Sequence, residues 1–83
     1  MKIVFSERAR KEWQKLSRGT QNQIRKKLYF YINSGNFLHF AEKLKDFNLG
    51  EYRFRIGDHR LIFDFKDDII FILRIGHRKD IYK

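Results

Sequence analysis

The sequence predicts an α+β fold in which two N-terminal helices pack on a small antiparallel sheet, in the order β-α-α-β-β-β. Three observations carry this expectation. Apolar residues recur at helical spacing in two stretches of the first half. Large apolar residues alternate with arginines at strand spacing on both sides of Gly57-Asp58. A continuous apolar stretch from Ile69 to Ile75, interrupted by Arg74, reads as a central strand.

Taken in order, Lys2 to Phe5 is a short strand, because Ile3, Val4 and Phe5 stand together. Ser6 is a fitting N-cap, and Glu7 suits the positive first turn of a helix. Ala9, Trp13 and Leu16 then form its buried stripe, with Glu7 and Glu12 facing solvent. Ser17-Arg18-Gly19 breaks this helix. Thr20 and Gln23 have the spacing of a capping box for a second helix, with Ile24, Leu28, Tyr31 and Ile32 facing inward. Arg25, Lys26 and Lys27 lie off that stripe, and Asn33-Ser34-Gly35-Asn36 ends it. Residues 37–51 lack clean periodicity. They read as a loop or short helical turn that approaches the sheet through Leu44 to Leu49.

Tyr52 to Ile56 is the next strand, and Gly57-Asp58 makes a two-residue hairpin turn. That loop length sets Arg55 opposite Arg60, Phe54 opposite Leu61 and Arg53 opposite Ile62. Cross-strand partners share a face. Arg53, Arg55 and Arg60 therefore gather on one face, and Tyr52, Phe54, Leu61 and Phe63 on the other, under the helices. Lys66-Asp67-Asp68 turns the chain into the strand Ile69 to Ile75. Gly76 ends or bulges that strand and re-aims His77 and Arg78.

Eighty-three residues make one small domain, spanning 1–83. Nine Phe, four Tyr and one Trp supply core bulk from few positions. With no cysteine there is neither a disulfide staple nor a thiolate metal site, which is compatible with a reducing cytoplasm. The apolar run at Met1 to Phe5 is too short for a signal peptide, and Ile69 to Ile75 is far below the roughly 20 residues that span a bilayer. The net charge of +9 is large for this length and points to nucleic acid, ribosome or an acidic protein partner rather than a membrane surface.

Guanidiniums at fixed spacing on a flat face suit phosphate. Opposed like charges destabilise a sheet, and a bound anion would relieve that repulsion. Arg78, after the glycine, is able to reach the same face. Tyr82 supplies a phenol for stacking on a base or for proton transfer, and His77 supplies an imidazole in the same C-terminal stretch. His39 and His59 have no metal-ligand spacing, and no carboxylate pair, Ser-His-Asp order or phosphate-binding glycine loop is present. The chemistry these residues suit is metal-independent cleavage of RNA by its own 2′-hydroxyl. It needs a base, an acid and cations around the phosphorane.

The stretch Tyr52-Arg53-Phe54-Arg55-Ile56-Gly57-Asp58-His59-Arg60-Leu61-Ile62-Phe63 and the ending Gly76-His77-Arg78-Lys79-Asp80-Ile81-Tyr82 resemble the RelE/ParE superfamily of bacterial and archaeal toxins, on the RelE side. The resemblance extends back to Phe5-Ser6-Glu7-Arg8-Ala9 and so covers almost the whole chain. It implies the toxin of a type II toxin–antitoxin system, a cytoplasmic endoribonuclease that cuts messenger RNA in the ribosomal A site without cofactor. It also implies an antitoxin, acidic and wrapping, that neutralises the basic surface.

By the same resemblance, Arg53 and Arg55 match two basic strand residues that are often lysines. Arg60 matches an arginine that holds phosphate, and Arg78 one that stabilises or protonates the leaving group. Tyr82 matches a terminal tyrosine that stacks on or orients the substrate. Arginine in place of lysine matters, because a guanidinium stays protonated and makes a poor base. Tyr82, His77 or ribosomal RNA is then left to take the proton. A ParE-like gyrase inhibitor and a catalytically degenerate RNA- or antitoxin-binding relative are the alternative readings.

Overall fold

The computed structural model describes residues 1–46 and 48–82. The chain forms strand β1 (Lys2–Phe5), helices α1 (Glu7–Gln14) and α2 (Arg18–Asn33) and a 3₁₀ turn (Phe37–Phe40). Strands β2 (Ala41–Lys43), β3 (Tyr52–Ile56), β4 (His59–Lys66) and β5 (Ile69–His77) follow. The five strands make one sheet in the order β1-β5-β4-β3-β2. The α+β architecture with two helices on a mostly antiparallel sheet is as expected. Two features go beyond it. A short strand, β2, lies outside β3, and β1 pairs parallel with β5, Lys2 opposite Ile69 and Phe5 opposite Ile72.

Local chemistry explains the elements. Ser6 caps α1, its Oγ accepting the amide of Ala9 while donating to the carbonyl of Leu73. The cap of α2 is Ser17 rather than Thr20: Ser17 Oγ accepts from the Thr20 amide and donates to the Thr20 hydroxyl. Thr20 thus lies inside the first turn, and the helix begins three residues earlier than a capping box at Thr20 predicts.

Ile24, Leu28 and Tyr31 of α2 are buried against Phe54, Leu61, Phe63, Ile70, Ile72 and Ile75 of the sheet. The Tyr31 ring lies 4.9 Å from Phe54 and 4.7 Å from Phe40, and Phe54 stacks on Phe63 at 4.5 Å. Offset aromatic pairs of this kind add roughly 0.5–1.5 kcal/mol each beyond their burial. That helps a domain of this size to hold together without disulfides.

The β3–β4 hairpin has the expected register, Arg55 opposite Arg60, Phe54 opposite Leu61 and Arg53 opposite Ile62. Gly57 adopts φ +58° in its turn, a left-handed value that glycine takes freely. Gly76 does not end or bulge β5. It pairs with Arg60 inside the strand, and the register irregularity falls earlier, where Ile62 faces Arg74 but Phe63 faces Ile72. Leu73 is the extra residue.

The face away from the helices is covered in places. Ile62, on the arginine side, is fully buried. Gly50 lies over it, so close that a Cβ there would stand 2.6 Å from Ile62 Cγ2. Gly76 opens space for Ile81, which is buried although it is next to last among the described residues. Arg53 stands opposite Ile62 and Arg60 opposite Gly76, so the arginines of β3 and β4 are beside these two covers.

Candidate active site

Arg53 is the centre of this face. Its side chain is about one-fifth exposed, and Nη1 donates to the Tyr82 hydroxyl at 2.6 Å. Its guanidinium carbon also lies 5.7 Å from the centre of the Tyr82 ring. Nη2 donates to Glu42 Oε2 at 2.9 Å. These two bonds, from Tyr82 first and Glu42 second, hold Arg53 protonated above the ordinary arginine range. Its Nε is buried with no acceptor among the described residues.

Glu42 was not a candidate on sequence grounds. It stands in β2 directly opposite Arg53. Its second oxygen lies 2.7 Å from Arg55 Nε, so one carboxylate bridges two guanidiniums. The Arg53 hydrogen bond, with the nearby arginine charges, keeps its carboxyl below the usual carboxylate range. Glu51 and Asp64 lie closer to Arg55 in sequence than Glu42 does but are engaged elsewhere. Asp64 instead accepts the amide of Glu51, and Glu51 accepts that of Phe65. Both carboxylates are occupied in fastening the approach to β3 onto β4. Glu42 serves because β2 brings it into register beside Arg53, and β2, three residues long with no alternation, gives no strand signal.

The remaining candidates fall around this trio. Arg60 shares a face with Arg55 by register, but its Nη1 donates to the carbonyls of Gly57 and His59, curling it towards the hairpin turn. Arg78 lies at the same end: its amide donates to the Asp58 carbonyl at 2.7 Å, and its Nε is 3.7 Å from Asp58 Oδ1. Arg53, Arg55 and Tyr82 are therefore linked directly or through Glu42, while Arg60 and Arg78 flank them at the hairpin tip.

His77 is placed differently. It pairs with His59 across β4 and β5, one residue out of phase with Gly76 and Arg60, so the strand register gives it to the opposite face. The two imidazole rings are 5.5 Å apart. Burial, then the neighbouring His77, pushes His59 below its ordinary value. His77 Nδ1 accepts the amide of Lys79, and its carbonyl accepts those of Asp80 and Ile81. Its visible work is to shape the turn that returns Tyr82 to the arginine face.

That turn has a second support. β1 ends opposite Ile72, and α1 takes over the freed edge of β5. Glu12 is not a solvent-facing helix residue. It accepts the Ile75 amide and pairs with Arg74, whose Nη1 reaches the Ile81 carbonyl at 3.4 Å. A carboxylate at the sixth position of a polar helix reads as solvent-exposed until the bare strand edge beside it is known.

A family model described as the ParE toxin of the parDE type II toxin–antitoxin system matches residues 3–82. The chain belongs to the RelE/ParE toxin superfamily. The toxin's fold is similar to that in the crystal structure of the RelB–RelE antitoxin–toxin complex from Methanococcus jannaschii. That match has a TM-score of 0.72 at 23% identity over 95% of this chain and 94% of the other. It is also similar to that in the intact RelBE toxin–antitoxin complex of E. coli, with a TM-score of 0.63 at 24% identity over 92% and 94%. No curated protein sequence matches. Among the described residues no helix is long and apolar enough to cross a membrane, and no group of three or more His, Cys, Asp or Glu could hold a metal ion.

Chemically, the toxin offers a phenol fixed against a guanidinium, a second guanidinium beside it, and two more at the rim. Such a face can bind a phosphodiester and stabilise the charge that develops as it is attacked. A guanidinium, which stays protonated, suits the part of a cation rather than that of a base.

Proposed function

We propose that this toxin is a ribosome-dependent endoribonuclease that cleaves messenger RNA in the A site by 2′-hydroxyl attack, and so inhibits translation. The observation that supports this reading is the 2.6 Å bond between Arg53 and Tyr82 beside Arg55, a phenol and two guanidiniums on one face, groups suited to proton transfer and to phosphate. Arg53 and Arg55 hold the phosphate. Arg60 swings from the hairpin carbonyls to a second phosphate oxygen, and Arg78 stabilises the leaving 5′-oxygen. Tyr82 stacks on the substrate base or takes the 2′-hydroxyl proton. Tyr82 is the stronger of the two base candidates, because His77 lies on the other face and acts by shaping the Tyr82 turn. No metal or cofactor has a part in this scheme.

The partners follow from charge. A net charge of +9 favours the ribosome and its RNA, and it favours an antitoxin with an acidic segment that wraps the same surface. The cytoplasm, where ribosomes and such an antitoxin meet, is the place of action. A second reading is favoured by the family model, which is that of a ParE toxin. The protein would then inhibit gyrase by binding, with no RNA chemistry.

Primer extension on a defined message in a purified bacterial translation system tests both. Codon-phased cuts that vanish when ribosomes are omitted are the expected result. Uncut message together with loss of gyrase supercoiling would overturn the nuclease reading in favour of the second.

A further inference from the structure

We infer that the Arg53–Arg55 pair is a phosphate seat held in the free protein by the chain's own carboxylate, Glu42, which an incoming phosphate must displace. The proposal deepens the RNA reading and rests on it only for the identity of the phosphate.

The geometry is specific. Glu42 gives one oxygen to each guanidinium, at 2.9 and 2.7 Å. A phosphodiester presents two non-bridging oxygens on one tetrahedral centre, and these can make the same two bonds. Glu42 is 44% exposed and stands on the edge strand, so its side chain can leave without disturbing the core. The Arg55 side chain is more than half exposed and is free to follow a ligand. Arg53 is held by Tyr82 when Glu42 departs, so the seat persists when its present occupant leaves.

The consequence is a built-in threshold. Glu42 cancels one of the two charges, and isolated small anions compete poorly for a seat already filled. A polyanion that also engages Arg60 and Arg78 gains enough additional contacts to displace it. Glu42 thus sets the affinity that any phosphate ligand of this face must exceed, and a chain with several phosphates clears it through its other contacts.

The test compares wild type with Glu42→Gln, which keeps shape and loses charge. Inorganic phosphate is titrated into the ¹⁵N-labelled proteins while the Arg53 and Arg55 Nε resonances are followed. Removing one charge at contact distance is expected to tighten phosphate binding about fivefold, the effect of about 1 kcal/mol at a solvated site. Unchanged or weaker binding would overturn the proposal. Glu42→Asp, whose shorter arm cannot span both guanidiniums, should give intermediate tightening, and it keeps the test available if the neutral variant loses β2.

A parallel titration uses a single-stranded oligonucleotide with 2′-deoxy sugars, which cannot be cleaved. Here Glu42→Gln is expected to bind tighter and to steepen the log–log salt dependence by roughly 0.7. Tightening in both arms supports the seat with nucleic-acid phosphate as its ligand. Tightening with inorganic phosphate alone supports the seat and counts against the RNA reading, so the two failures are distinguishable.

Discussion

Glu12 and Arg74 lock helix α1 to the strand that carries the C-terminal turn: Glu12 Oε2 stands 3.0 Å from Arg74 Nη2, and Oε1 accepts the Ile75 amide. Both side chains are less than a quarter exposed. Replacing Glu12 with Ala leaves a half-buried guanidinium and a strand amide without an acceptor. The expected loss is about 2 kcal/mol of unfolding free energy in urea titration, in the range of hydrogen bonds to charged groups. Glu12→Gln, which still accepts the amide bond, should recover part of it. A loss below about 0.5 kcal/mol for the Ala variant would mean that the pair is solvent-screened like a surface bridge.

Gly76 makes room for Ile81. A Cβ built on Gly76 would lie 3.1 Å from Ile81 Cδ1, and Gly76→Val adds two further methyls to that space. The valine variant is expected to cost about 1–3 kcal/mol by overpacking. Because Tyr82 follows Ile81, it should also lose the Arg53–Tyr82 bond, seen as a shift of the Arg53 side-chain resonances in a ¹H–¹⁵N spectrum. Retention of both stability and the Arg53 resonance would show that the turn adjusts without moving Tyr82.

These two contacts mark where the amino-acid sequence stops being legible. The alternation from Tyr52 to Phe63 and the Gly57-Asp58 turn were enough to place Arg55 opposite Arg60, because loop length fixes hairpin register. The helical stripes of Ala9 and Trp13, and of Ile24, Leu28 and Tyr31, were equally plain. The parallel pairing of β1 with β5 joins segments more than sixty residues apart and leaves no local trace. Glu42 and Glu12 were invisible for the same reason: each gains its role from a strand brought beside it. His77 and Arg78, adjacent in sequence, sounded like parts of one site, yet the pleat gives His77 to the opposite face.

The Arg60 guanidinium donates to carbonyls of the hairpin and Arg78 lies 3.7 Å from the Asp58 carboxylate, contacts at the hairpin tip rather than in the core. Arg78 is exposed and Arg60 half-buried at the rim, and alanine at either position is expected to leave the melting temperature within about 2 °C of wild type. Under the nuclease reading each should reduce cleavage on programmed ribosomes by about 10²–10³-fold, the usual cost of one donor to a developing oxyanion. Toxicity that survives both changes in a folded protein would sink the assignment.

His59 makes stability depend on pH. Burial and the neighbouring His77 depress its folded-state value below the ordinary 6.5, so the unfolded chain takes up the proton first. The stabilisation is fully present above pH 6.5 and is lost as pH falls from there through the folded-state value. Chemical denaturation of wild type between pH 8 and pH 5 should therefore show declining stability on acidification, and His59→Gln should flatten that decline. An equal slope in the variant would assign the decline to other groups.

Tyr82 separates binding from chemistry. Its ring packs near the Arg53 guanidinium and its hydroxyl takes the Arg53 hydrogen bond, so Tyr82→Phe removes only the second contact. If the phenol transfers a proton, Tyr82→Phe should cut message about 10²–10⁴-fold more slowly while binding the uncleavable oligonucleotide as wild type does. Tyr82→Ala should lose binding as well, since stacking of a base on an aromatic ring is worth about 1–3 kcal/mol. His77→Asn serves as the comparison: an imidazole that shapes the turn should show its loss in stability before rate. If His77→Asn abolishes cleavage in a protein that retains the Arg53–Tyr82 resonance shifts, and Tyr82→Phe leaves it intact, the base is His77 and the assignment to Tyr82 is wrong.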